Sequence, residues 1–141
     1  MIVLLLTLFC AQTAFLQEKA GIVILATGFR NDNGVGRAAL FSSSKGFPSK
    51  TKKALRIGAF MIKDSSGTMV FSGIVPGTYA VSVYHDENNN GELDSNFIGI
   101  PKEEVGSSNN PNSRFGPPSY DDSKFDVNSG TVTLKITIKY I

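Results

Sequence analysis

Apolar and polar residues alternate with a period of two along most of this chain. In "TVTLKITIKY", Val132, Leu134, Ile136, Ile138 and Tyr140 fall on one face, and Thr131, Thr133, Lys135, Thr137 and Lys139 on the other. An antiparallel strand with one dry and one wet face has this pattern. "TYAVSVYH" likewise sets Tyr79, Val81, Val83 and His85 against Thr78, Ala80, Ser82 and Tyr84. "GIVILATGF" is apolar on both faces, as a central strand is.

Turn residues punctuate these runs. "NDNGVG" separates the first strand from "RAALFS", and its Asn-Gly pair favours a hairpin. "SSSKGFP", "KDSSG", "VPG" and "VNSG" mark the other breaks. Seven strands are predicted, near 21–29, 36–42, 55–63, 68–74, 78–85, 123–128 and 131–140. Short strands, frequent turns and no amphipathic helix specify an all-β fold, a seven-stranded antiparallel β-sandwich. Residues 86–122 break the period and are rich in Asn, Ser, Gly and Pro. They still hold Phe97, Ile98, Ile100, Phe115 and Tyr120, so a long ordered loop packed over one end is expected. "RFGPPSY" reads as its anchor.

The length of 141 residues suits one domain. The net charge of +2 and the lack of a basic block interleaved with aromatics argue against a nucleic-acid partner. Ile2 to Phe9 is an apolar run too short for a membrane span, which needs about 20 residues, and it suits a secretory signal. Residues 1–20 are therefore expected to be a signal peptide and 21–141 the sandwich domain. The location expected is periplasmic, cell-envelope or extracellular, with no transmembrane span in the mature protein. Cys10 is the only cysteine and falls in that first segment, so the domain itself has no thiol chemistry.

The main candidate site is "YHDENNNGELDSNF". With Asp86 as position one, Asn88, Asn90 and Asp94 stand at three, five and nine, Gly91 at six, and Glu92 offers a carbonyl at seven. A curled loop aims such alternate oxygens at one interior, where calcium takes six to eight of them. Phe97 stands at position twelve, where a closing glutamate belongs, so the loop is not a complete EF-hand. Turn chemistry alone also accounts for these residues. A calcium ion bound here would brace the loop. No other cofactor is expected.

His85, the only histidine, stands beside Asp86 at a strand end. A single histidine without a nucleophile reads as a rim residue bonded to the long loop. Arg114 reads as a fastener to Glu103, Glu104 or Asp121, or else as an anion clamp. Lys45, Lys50, Lys52, Lys53 and Arg56 form a basic cluster, read as protection for a sheet edge.

The segments "GFRNDNGVGRAALFSSSKGFP", "VPGTYAVSVYHDENNNGELDSNFIGIPKEEVGSSNN" and "RFGPPSYDDSKFDV" together resemble the bacterial family domain of unknown function 2141, over about residues 21–140. The resemblance implies a small exported β-sandwich of the envelope with no established activity. "PGTYAVSVYHDENNNG" is also similar to transthyretin-like and carboxypeptidase-regulatory-like modules, which concerns the fold alone. The expectation is a non-enzymatic binding or structural module with an unknown protein or glycan partner. One alternative is an enzyme or enzyme accessory domain using His85, Asp86 and Arg114. The other is a carbohydrate-binding module presenting Tyr84, Phe97 and Tyr120 in a flat row.

Overall fold

The computed structural model describes residues 19–93, 105–112 and 116–139. The signal-like segment up to Glu18, and with it Cys10, lies outside the described residues, as do Asp94, Phe97, Glu103, Glu104, Arg114 and Phe115. Eight strands are present among those described: β1 (Ala20–Thr27), β2 (Val35–Phe41), β3 (Arg56–Phe60), β4 (Ser66–Ile74), β5 (Gly77–Asp86), β6 (Val105–Ser107), β7 (Phe125–Val127) and β8 (Thr131–Thr137). Seven match the strands expected from the pattern. The eighth, β6, arises inside the segment read as one loop.

The strands form two sheets. One runs β4-β1-β8; the other runs β3-β2-β5-β6, with β7 also pairing with β5 at Gly77–Tyr79. Two expectations are corrected here. β1 and β2 lie in different sheets, so Asn33-Gly34 makes a crossover rather than a hairpin. β8 keeps its alternation but pairs with β1 in parallel, Ile22 beside Val132 and Ala26 beside Ile136. Alternation reports which side of a strand is buried, and is blind to its neighbour's direction.

The core lies between the sheets. Ile22, Ile24, Phe71, Leu134 and Ile136 meet Ala38, Leu40, Phe60, Val81 and Val83 across it. β5 is buried on both faces from Tyr79 to Asp86. Its outer face lies under the segment after β2, where the Ser82 hydroxyl donates to the Pro48 carbonyl at 2.9 Å. Phe47 stacks edge-on against Phe41 at 5.3 Å and Tyr120 at 5.9 Å, joining that segment to the short helix α1 (Tyr120–Ser123). Gly116 takes φ of 133°, and Pro118 and Tyr84 line one small cavity with Leu93.

The two seams of the sandwich differ. On one side the Val105 and Lys139 main chains exchange hydrogen bonds of 3.1 and 2.9 Å, joining the sheets. On the other, β3 and β4 are both edge strands, tied by the turn bridge Lys63–Ser66 and by Arg56 Nη1 donating to the Ser72 carbonyl at 2.5 Å.

Candidate functional site

The end of β5 carries the polar cluster. Successive strand residues point to opposite faces, and this decides what His85 and Asp86 can do together. Register puts His85 on the core side with Val83 and Val81, and Asp86 on the outer side with Tyr84. His85 is buried; its Nε2 donates to the Asn33 carbonyl at 2.7 Å, and its ring meets Phe29 edge-on at 5.2 Å. It thus fastens the β1–β2 connection, a contact that the sequence reading, which set this histidine against the long loop, did not foresee. A shared reaction centre for His85 and Asp86 has no support in this arrangement.

Asp86 is fully buried. Its Oδ2 accepts from Arg37 Nε at 2.6 Å and from the Gly91 N–H at 2.9 Å, and its Oδ1 from the Asn90 N–H at 3.1 Å. Burial pushes this carboxyl up, but Arg37 and the two N–H groups outweigh it and hold it below the ordinary value. Farther along, Asn88 Oδ1 accepts from the Asn90 N–H at 3.3 Å, and Asn90 Oδ1 from the Glu92 N–H at 3.0 Å. Asn89 and Gly91 take the left-handed angles, φ 54° and 83°, that curl the loop. Asp86, Asn88, Asn90 and Glu92 therefore share one tight loop. Asp94 lies outside the described residues.

Glu87 reaches the other way. Arg30 grips its carboxylate with Nε at 2.9 Å and with Nη2, and Asn31 Nδ2 adds a third bond at 2.5 Å. The Arg30 contact outweighs burial, and with Asn31 brings this carboxyl down from 4.5 to about 2. Asp32 accepts from the Asp64 and Ser65 N–H groups, both at 2.9 Å, holding the β3–β4 turn. Three connections, 28–34, 61–65 and 87–92, are thereby laced together. Arg37 and Arg30 were missed as partners in the sequence reading. Each is over 45 residues from its acid, and only the fold brings them together.

Other expectations sort out plainly. Tyr84 is buried, its hydroxyl 3.5 Å from the Gly91 carbonyl, so it cannot join a flat exposed aromatic row. Asp121 pairs with Lys124 at 3.2 Å. No group of three or more acidic, histidine or cysteine side chains able to hold a metal occurs among the described residues.

The fold and this laced rim define a small all-β sandwich domain. Over residues 24–135 the chain matches the family described as an uncharacterized protein conserved in bacteria, DUF2141, and it belongs to that family. No curated protein and no solved structure matches it. No helix among the described residues is long and apolar enough to cross a membrane.

Proposed function

We propose that this domain is a non-enzymatic binding or structural module, exported to the bacterial envelope. One observation carries the reading: Asp86, Glu87 and His85 at the rim are each committed to holding loops. Asp86 and Glu87 are fastened to Arg37 and Arg30, and His85 to a main-chain carbonyl. A general base must face a substrate proton within hydrogen-bond reach, and these groups face their own chain. Export rests on the apolar N-terminal run from Ile2 to Phe9. Hydrolysis of ester, phosphate or glycoside substrates by the purified chain, lost in His85→Ala, is the result that would overturn this reading.

A calcium-braced loop is the second reading. It is favoured by the curl that brings the side-chain oxygens of Asp86, Asn88 and Asn90 into one loop. Against it, the Arg37 guanidinium already supplies a positive charge to the Asp86 carboxylate. Thermal unfolding with calcium and with chelator separates the two, because a ligand of the folded state raises its midpoint. With Arg37 as the brace, the midpoint stays put at millimolar calcium. A rise that disappears in Asp86→Ala would establish the ion.

A further inference from the structure

β3 is an edge with an unusual distribution of side chains. It pairs with β2 alone, and its register places Ile57 and Ala59 on the outer face of the sheet. Leu55 and Met61 continue the same period-two row. Leu55, Ile57 and Met61 are 54%, 48% and 77% exposed, and Ala59 is exposed as well. A strand edge guarded only against aggregation carries charge along its length. Here the charge stands towards the two ends, with Lys50, Lys52 and Lys53 before the strand, Arg56 at its first position turned to the Ser72 carbonyl, and Lys63 after it. None of these lysines forms an ion pair among the described residues. A 540 Å³ groove runs beside the strand, between Lys50–Lys53 and residues 91–93, with Ile57 in its lining.

We propose that β3 is a docking edge for an extended acidic peptide with apolar residues at alternate positions. The free edge offers main-chain hydrogen bonds, and alternate side chains of an added strand fall on one face, beside Ile57 and Ala59. Carboxylates at its ends meet Lys53 and Lys63. Charge decides against a second copy of this chain. An antiparallel copy centred on Gly58 would set Lys53 opposite Lys63, and like charges facing across strands repel. The row follows a sheet edge beside a groove, whereas a lipid-inserting segment presents its apolar residues on one face of an amphipathic helix.

The proposal names a partner class for the binding module proposed above and rests on that reading. Its test measures fluorescence anisotropy of a labelled octapeptide of alternating glutamate and valine, titrated with the full chain. Saturable binding that weakens with salt is expected, and the lysine–valine counterpart should not bind. Lys53→Glu/Lys63→Glu and Ile57→Ser should each weaken binding by about tenfold or more; both alter exposed positions, and an unchanged circular dichroism spectrum verifies their folding. Absence of glutamate–valine binding, or binding indifferent to both variants, overturns the proposal. So does sedimentation with phosphatidylglycerol vesicles in place of peptide binding, or a concentration-dependent dimer that competes with it. Substrate turnover with peptide binding intact would end the reading of a non-enzymatic module while leaving the docking edge standing.

Discussion

At the scale of single residues, the arginines decide how the rim behaves. Arg37 lies one-fifth exposed against a fully buried Asp86. Truncating it removes the side-chain partner of a buried charge. Arg37→Ala is expected to cost about 2 kcal/mol, the scale of a hydrogen bond to a charged group, read as a lower midpoint in urea. The Asp86→Asn variant should lose part of the same energy, and the double variant less than the sum. Glu87 makes a pH prediction. Its carboxyl is depressed in the folded state from 4.5 to about 2, so the unfolded chain takes up the proton first as pH falls. The Arg30 contact therefore contributes fully above pH 4.5 and is lost as pH approaches 2. Urea titrations across that interval should give falling stability in the parent, and a shallower fall in Glu87→Gln.

At the scale of elements, the connection before β2 is the most constrained. Gly34 sits at φ 64°, and a Cβ there would lie 2.0 Å from the Asp86 carbonyl and 2.7 Å from that of Glu87. Both the backbone angle and the space exclude a side chain. Gly34→Ala should destabilise by about 3 kcal/mol or more in chemical denaturation, with strain and clash acting together. Gly36 answers to space alone, because a Cβ there would fall 2.2 Å from the Phe60 ring. The sequence pattern located strands well, since burial on one face leaves alternation behind. It named the β1–β2 connection but mistook a crossover for a hairpin. Asn-Gly sets a local backbone angle, and the partner of a strand is chosen by the whole core. β6 escaped notice because three residues, Val105–Ser107, are too few to carry a period. β5 read as half-wet because its outer cover comes from Phe47 and Pro48, far away in the chain. The candidate loop was legible as a curled oxygen-rich turn. Its cation partner was not, since Arg37 lies 49 positions from Asp86.

At the scale of the whole molecule, β1 is the organising strand. Its two neighbours come from distant parts of the chain, β4 at Ser66–Ile74 and β8 at Thr131–Thr137. A chain ended at Gly130 should therefore lose its cooperative unfolding transition, because Ile22, Ile24 and Ala26 would keep one bare flank. Calorimetry of that truncation against the full chain is the check. The parallel register also sets an order of events. A chain that emerges amino end first presents β1 early, but β1 must wait for Thr131–Thr137 before its sheet can close. Contacts this far apart in sequence form late and slow folding to about milliseconds or longer. Until then the chain stays open, so the pairing of β1 with β8 works as a timer that withholds the finished sandwich until residues 131–137 are free to dock.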